Sequence, residues 1–458
     1  MTQPSVHHVD AEVAALRAVE AKLDRRWPES RIEPSLTRIA ALVDLLGSPQ
    51  RCYPVLHIAG TNGKTSVARM LDALLSQMGL RVGRYTSPHL QRGTERISLD
   101  GTPISPERYV EAYHDIEPYL ALVDAGSPVP VSKFEVLTGM AFATFADAPV
   151  DAAVVEVGLG GSWDATNVAD AAVAAITPVA VDHVNYLGSD IAGIATEKAG
   201  IIKPGSVAVL AQQVPEVARV IAGRSLEVDA TVAREGMEFG VLQRDLAVGG
   251  QQLRLQGLGG VYDQVFLPLY GAHQSHNAAL ALAAAEAFFG AGANSALDID
   301  AVRDAFATVT APGRLERVRT APSVFLDGAH NPHGAHALAA ALREDFNFRR
   351  LVAVVGVMRD KDARGILAEL EPVVDEVVVT VSSSLRAMDV EDLAAAAREV
   401  FAESRLRVAR RLPDAIEEAI ASATEADPDS DRISGAGVVV TGSVAMVGEV
   451  RTLFGREP

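Results

Sequence analysis

The stretch Gly60-Thr61-Asn62-Gly63-Lys64-Thr65-Ser66 concentrates the residue types that hold a nucleoside polyphosphate. Two glycines let the backbone turn its N–H groups inward, Lys64 offers a full positive charge to a terminal phosphate, and Thr65 and Ser66 offer hydroxyls to Mg²⁺. The usual spacing puts the first glycine five positions before the second, where this chain has Ile58, so the loop is a variant that depends on its context. An apolar run from Val55 to Ala59 precedes it. Val67, Met70, Leu71, Leu74 and Met78 follow at helical spacing, and Gly79 closes the segment as a C-cap. Strand, tight loop and helix N-terminus is the order that a phosphate cradle requires.

Two further apolar runs lead to residues that can ligate a metal. Val150 to Val157 reads as a strand buried on both faces, with Glu156 near its C-terminal end, where a carboxylate has no packing role. Ala171 to Ile176 leads through Thr177-Pro178 to a second strand-like run, Val179-Ala180-Val181-Asp182-His183. Beside a phosphate loop, a carboxylate and an imidazole point to a divalent cation. Ser132-Lys133-Phe134-Glu135 has the capping-box spacing before Leu137, Ala141 and Phe145, so Glu135 reads equally as a cap or as a substrate residue. Cys52, the only cysteine, excludes an internal disulfide and a cysteine-rich metal site; a small buried residue is the expected role.

The elements that must position these groups follow from periodicity. Residues 11–47 are helical in pattern, clearest at Leu36, Ile39, Val43 and Leu46, with Ser35 as N-cap and Gly47 as stop. Arg81 to Tyr85 is a short strand ending in Thr86-Ser87-Pro88-His89, Asp100-Gly101 closes a hairpin, and Ser105-Pro106 starts a helix. After the strand Val207 to Leu210 and a helix near Pro215 to Gly223, residues 226–270 become β-rich and irregular. A helix then runs from Ala272 to about Gly290 and another ends near Thr308. Ala311-Pro312-Gly313 interrupts the pattern, which restarts with buried-type strands at Val324 to Leu326, Leu351 to Val357, Val377 to Val381 and Val438 to Val440. The expectation is α/β: a P-loop NTPase-like parallel-sheet N-terminal domain over residues 1–311 and a smaller Rossmann-like α/β C-terminal domain over 312–458, the latter without a G-x-G-x-x-G dinucleotide fingerprint.

A length of 458 residues exceeds one ordinary core, and 48% hydrophobic with 22% charged residues marks a globular chain. The net charge of −18 argues against nucleic acid or anionic membranes as partners, so anionic ligands must be held by local basic groups. Met1 to Asp10 lacks a signal-peptide pattern, and the longest apolar stretch, Ala278 to Ala291, carries Glu286 and is too short to span a bilayer. A cytoplasmic, monomeric enzyme with small-molecule partners is expected.

Taken in order, the Gly60–Ser66 loop, Thr86-Ser87-Pro88-His89-Leu90, Ser132-Lys133-Phe134-Glu135, Glu156-Val157-Gly158-Leu159-Gly160-Gly161, Asp182-His183, Glu197-Lys198-Ala199-Gly200-Ile201, His276-Asn277, Gly313-Arg314 and Asp327-Gly328-Ala329-His330-Asn331-Pro332 closely resemble the folylpolyglutamate synthase and dihydrofolate synthase enzymes of the Mur ligase superfamily, in their actinobacterial form. The resemblance covers nearly the whole chain. It implies an ATP-dependent amide ligase that joins L-glutamate to dihydropteroate or to the γ-carboxylate of a folate, through an acyl phosphate. It also implies roles. Gly60, Thr61, Asn62, Gly63, Lys64, Thr65 and Ser66 would hold ATP together with Asn277, Arg314 and Asp327. Ser87 and Glu156 would ligate one Mg²⁺, and His183 a second, with Lys198 carbamylated beside them. Lys64, Lys198 and His330 would be catalytic. Thr86, Pro88, His89, Lys133, Phe134, Glu135 and Ser443 would contact substrate, His330 and Ser443 at the glutamate end.

Two positions depart from the family pattern: Leu385-Arg386-Ala387 replaces a common Pro-Arg-Ala, and Arg359 precedes an Asp360-Lys361-Asp362 core where many relatives have glycine. Two other readings compete. A cell-wall Mur ligase would carry a UDP-binding domain ahead of the phosphate loop, for which the 59 residues before Gly60 are too few. A P-loop switch protein would need neither a metal-site histidine nor a second domain with its own motifs.

Overall fold

The strand that feeds the phosphate loop, β1 (Val55–Ala59), lies inside an eight-stranded sheet with β2 (Val82–Tyr85), β3 (Ile97–Leu99), β4 (Thr102–Pro103), β5 (Ala152–Glu156), β6 (Ala171–Ile176), β7 (Val207–Leu210) and β8 (Thr231–Arg234), in the order β4-β3-β2-β5-β1-β6-β7-β8. Only the β2–β3–β4 edge is antiparallel. The structure is a computed structural model and describes residues 6–28, 33–290, 295–425 and 435–457. Parts of the amino-terminal segment and of the 11–47 lead-in, and the end of the apolar 278–291 stretch, therefore lie outside the described residues.

Alternation along the strands sorts the core into two layers, as the two-residue side-chain period demands. Leu56 and Ile58 of β1, with Ala152 and Val154 of β5, pack under the helix Lys64–Gln77; Val55, Ala153 and Val155 face the opposite layer with Tyr109, Ile116, Met140 and Phe142. The helix Ala272–Phe288 is buried on nearly all sides, from Ala278 to Ala285, because its alanines let it lie close to the helix Lys64–Gln77 and to a three-stranded antiparallel sheet of β9 (Gly240–Ala247), β10 (Gly250–Gln256) and β11 (Val261–Leu267).

The C-terminal sheet comprises β12 (Glu316–Thr320), β13 (Ser323–Leu326), β14 (Arg350–Val355), β15 (Glu376–Val379), β16 (Leu406–Val408) and β17 (Ala436–Thr441), ordered β12-β13-β17-β14-β15-β16. All neighbours but β12–β13 are parallel. Phe325, Ala353, Val355, Val377 and Val439 face one helical layer, and Val324, Val352, Val354, Val378 and Val438 the other. The polar edge strand β12 and the three-residue β16 add to the four strands legible as apolar runs.

Three sequence expectations fail here. Val179 to Val181 is not a strand: Pro178 offers no N–H to a ladder, and the segment instead bonds to the phosphate loop, through Thr61 N to Pro178 O at 3.0 Å and Thr61 Oγ1 to Ala180 O at 2.9 Å. Cys52 is exposed, because it sits in the turn after the short 3₁₀ helix Pro49–Arg51 and outside β1. Ser35 acts one position early: its Oγ accepts from Thr37 N at 3.1 Å, while Leu36 holds the cap position of the helix Thr37–Leu45.

Candidate active site

The parallel strands of both sheets point their C-terminal ends at one cleft, the place where open α/β sheets keep ligands. From the first sheet come Gly60 after β1, Ser87 beyond β2, Glu156 at the end of β5 and Thr177 after β6. From the second come Asp327 after β13, Lys361 beyond β14 and Ser443 after β17. Backbone conformation and close approach explain the two glycines of the loop. Gly60, at φ +138°, leaves no room for a Cβ, which would fall 1.8 Å from Thr177 Oγ1; Gly63, at φ +92°, lies against Asn277 Oδ1 at 2.6 Å from where its Cβ would be.

A cavity of about 160 Å³ is lined by the Gly60–Ser66 loop together with Glu156, His183, Lys198, Asn277, Arg314, Asp327 and His330. Every nucleotide and metal residue read from the sequence is therefore brought to one place. Lys64 Nζ folds back on its loop, donating to Gly60 O and Thr61 O at 3.1 Å each. Burial pulls its ammonium down from the usual lysine range, against the pull of Glu156 and Asp182. Glu156, buried at the strand end, accepts from Thr65 Oγ1 at 3.0 Å on both oxygens and from Ser87 N at 3.4 Å. Its carboxyl is pushed up by burial, with Lys64 and Thr65 opposing. The two hydroxyls of the loop separate: Thr65 faces Glu156, whereas Ser66 turns to the buried Gln274 amide at 3.3 Å. Lys198 Nζ donates to Gly60 O at 2.8 Å from inside the protein, and burial, then Lys64, brings it down to about 7. His183 is held neutral, at about 3, by burial and by Lys361.

Across the cleft, Arg314 Nη1 donates to Gly313 O at 3.1 Å, and Asp327 accepts from Leu315 N and Ala329 N at 2.8 Å each. His330 Nδ1 donates to Gly328 O at 2.9 Å, and its Nε2 faces Asp182 Oδ2 at 3.6 Å. Ser443 caps the helix Val444–Leu453, its Oγ accepting from Met446 N at 3.5 Å.

The phosphate-loop cavity adjoins a larger one of about 640 Å³, the two sharing Ser87, Pro88, Gly158, His183 and His330 among their lining residues. The larger cavity carries Trp27, Phe134, Trp163 and Asp164, which supply flat apolar surface and a carboxylate. Phe134 packs on Tyr85, with ring centroids 6.0 Å apart, and against Gly158, whose Cβ would meet the ring at 2.4 Å. His89 and Ser443 also face it, His89 with Nδ1 accepting from Arg96 Nε at 3.0 Å. Glu135 forms the capping box with Ser132 and pairs with Arg38 Nε at 3.1 Å, while its side chain still borders the cavity.

Two expected substrate residues lie elsewhere. Lys133 points away, its Nζ 2.7 Å from Asp24 Oδ1, because the first helical position of Lys133–Asp147 aims it at the amino-terminal helix. Thr86 is buried behind the loop, with its amide bonded to Arg96 O at 2.9 Å. Conversely, the structure adds Asp182, Asn331 and Lys361, which meet across the domain boundary, and Arg38, a charged residue on the buried face of its helix. Asp182 and Lys361 were visible inside quoted motifs, but nothing local pairs residues so far apart.

The Mur ligase middle domain model matches residues 133–285, and the Mur ligase glutamate ligase domain model matches residues 313–444. The dihydrofolate synthase/folylpolyglutamate synthase of Mycobacterium tuberculosis is 62% identical over 98% of this chain and 95% of its own length. The chain belongs to the folylpolyglutamate synthase/dihydrofolate synthase family of Mur ligases. Membership makes it a ligase. Solved structures of this family superpose closely: M. tuberculosis folylpolyglutamate synthase complexed with ADP has a TM-score of 0.94 at 61% identity, covering 98% of this chain and all of that one. E. coli FolC in complex with DHPP and ADP has a TM-score of 0.83 at 31% identity, covering 96% and 97%. The family's two-domain arrangement is what brings Lys64 and Arg314 to one cavity. Among the described residues no helix is long and apolar enough to cross a membrane.

Proposed function

We propose that this chain uses ATP to join L-glutamate to dihydropteroate, to the γ-carboxylate of a folate, or to both. The observation that carries the reading is that the phosphate-loop cavity adjoins the larger aromatic-lined one, with Ser87, His183 and His330 in the walls of both. A carboxylate does not acylate an amine at neutral pH. A carboxylate oxygen therefore attacks the γ-phosphorus of ATP, the bond to the bridging oxygen of ADP breaks, and an acyl phosphate forms; the glutamate amine then attacks the acyl carbon, and phosphate leaves with the bonding pair. Lys64 and Arg314 balance charge around the transferring group from opposite domains, and positioning supplies much of the rate. His330 Nε2 takes the proton that the ammonium of glutamate must lose. Asp327 and Asn277 hold the nucleoside side. His89, Phe134 and Glu135 border the pterin-bearing substrate and Ser443 the glutamate. Closure of the two domains excludes water from the acyl phosphate.

The donor set fits Mg²⁺ bound jointly with nucleotide. Among the described residues no cluster of three metal-ligating side chains exists, and a magnesium ion that relies on one carboxylate, hydroxyls and phosphate oxygens needs none. Glu156 and Ser87 would hold one ion and His183 a second, and the cations supply charge neutralisation on the phosphates. Lys198, buried and brought down to about 7, has a substantial uncharged fraction near neutral pH and so meets the requirement for a carbamate, which forms from an uncharged amine and CO₂.

The test is ADP release by the purified chain with dihydropteroate and with tetrahydrofolate, each with and without glutamate. ADP that appears only when a pterin carboxylate and glutamate are both present supports the reading. Release with a UDP-muramyl substrate instead, or with nucleotide alone, defeats it.

A further inference from the structure

The loop that presents His89 to the larger cavity is anchored at both ends. Within its own domain, the Glu95 carboxylate accepts from Leu90 N at 2.9 Å, Gln91 N at 2.7 Å and Arg92 N at 2.6 Å, and Arg96 holds His89. This fixes the turn and leaves the Gln91 side chain projecting to the other domain. There it is fully engaged. Its Nε2 donates to Thr452 Oγ1 at 3.0 Å and to Arg456 O at 2.9 Å, and its Oε1 accepts from Arg451 Nη1.

Arg451 is buried and reaches three structures at once. Besides Gln91, its Nε donates to Glu316 Oε2 at 2.9 Å and its Nη2 to Glu457 O at 2.9 Å. The same Glu316 oxygen accepts from Gly313 N at 2.8 Å, at the junction between the domains. The helix that carries Arg451 begins at Ser443 and lies flush on the loop: a Cβ on Gly448 would fall 1.9 Å from Leu90 O. One guanidinium thus ties the substrate loop, the interdomain junction and the helix headed by Ser443.

We propose that Gln91 and Arg451 are positioning residues, which set the His89 loop and the Ser443 helix in register when the two domains close. The proposal rests on the reading of these two segments as the pterin and glutamate sides of the active site. Neither residue touches the phosphate loop, so the coupling acts on the acceptor substrates and leaves nucleotide binding alone.

Steady-state kinetics of Gln91→Ala, Arg451→Lys and the double variant test it. Arg451→Lys keeps a cation beside Glu316, so it preserves the buried ion pair, but it cannot span to Gln91 as well. Each single variant raises KM for the folate substrate and for glutamate about tenfold, as loss of a charge-assisted hydrogen bond does, with KM for ATP unchanged. The double variant is no worse than Gln91→Ala alone, since Gln91→Ala already removes the bond that Arg451→Lys cuts. Hydrogen exchange of residues 88–96 in the full-length chain without substrates is faster in both single variants. Unchanged acceptor KM values, additive losses or unchanged exchange overturns the proposal. A wild-type chain that ligates no folate overturns the functional reading, and the exchange measurement then still decides whether the connection exists.

Discussion

Lys361 Nζ lies 2.5 Å from Asp182 Oδ1, joining a residue that follows β14 in the C-terminal domain to one that follows β6 in the N-terminal domain. Both side chains are less than a tenth exposed, and Asp182 also accepts from Asn331 Nδ2 at 2.8 Å. Burial opposes the charge of Asp182, but the His330 ring, 3.6 Å away, and the Lys361 ammonium keep the carboxyl far below its usual range. The pair therefore belongs to the closed arrangement: opening the cleft returns both charges to water.

Asp182→Asn leaves the Lys361 charge buried and unpaired only when the domains close, a penalty of about 3 kcal/mol or more. Ligation should fall about a hundredfold while the melting temperature changes little, and small-angle scattering with ATP analogue and pteroate together should show a more open particle than wild type. Unchanged turnover and an unchanged scattering profile would remove this pair from the closure.

Lys64→Ala should abolish ligation with the fold intact. Among the described residues its ammonium bonds only to carbonyls of its own loop, Gly60 O and Thr61 O, and water in the cavity can replace it there. No other side chain between Gly60 and Ser66 can set a positive charge against the phosphates. Calorimetric titration with ATP and an ADP-release assay are the measurements; near-normal turnover in a folded variant sinks the phosphate-loop assignment.

Glu156→Gln keeps the shape and its partners Thr65 and Ser87 but removes the charge that a hard cation favours. The Mg²⁺ concentration for half-maximal activity should rise at least about tenfold, with partial rescue at high Mg²⁺. An unchanged Mg²⁺ titration makes Glu156 structural.

How much of this was legible in the sequence depends on range. The phosphate loop, the strand ending in Glu156 and the cap at Ser132 are local patterns, and continuous apolar runs along β5, β14 and β17 marked both sheets. Lys133 and Thr86 were placed by motif neighbourhood alone, and side-chain direction, set by the helix start and by the buried loop, turned them away. Val179 to Val181 is apolar enough for a strand, yet Thr61 supplied its hydrogen bonds. Asp182 with Lys361, and Gln91 with Arg451, are contacts between domains for which no local spacing exists.

His57, in the middle of β1, gives a pH signature. It is fully buried, its Nε2 lies 2.8 Å from Thr166 Oγ1, and Thr166 donates onward to Asp164, so Nε2 carries the proton and Nδ1 has no partner among the described residues. Burial, then Lys203, holds the ring down to about 3, against 6.5 for an ordinary histidine. Between those values the unfolded chain binds the extra proton, so folding stability falls as pH drops through that window, by roughly 1.4 kcal/mol per unit from this group. His57→Gln keeps a donor toward Thr166 and cannot titrate. Urea unfolding at pH 7 and pH 5 should show a smaller loss in the variant than in wild type; equal losses would assign the acid sensitivity to other groups.

The last prediction concerns Lys198. It lies near the end of the helix Ile191–Ala199, where from spacing alone an ion pair or a solvated lysine would be the expected reading. The structure shows neither: its Nζ is buried, donates to Gly60 O at 2.8 Å and borders the same cavity as Glu156 and His183. At about 7 the amine is about half neutral at pH 7 and mostly neutral at pH 8, and only a neutral amine captures CO₂. Capture forms an N–C bond, releases one proton and converts a cation-forming group into an anionic oxygen ligand, which changes the local charge in the direction that divalent cations favour. Full-length protein equilibrated with ¹³C-bicarbonate and Mg²⁺ should therefore show a carbamate carbon resonance that is absent from Lys198→Ala, and the variant should lose most ligation. Degassed wild type should lose activity and regain it on addition of bicarbonate. Below the lysine pKa the ammonium form dominates, so both the resonance and the activity should decline as pH falls from about 8 to 6. A Lys198→Ala enzyme with wild-type turnover, or wild type that shows no carbamate resonance and no response to bicarbonate, returns Lys198 to a purely structural role in holding the Gly60 carbonyl.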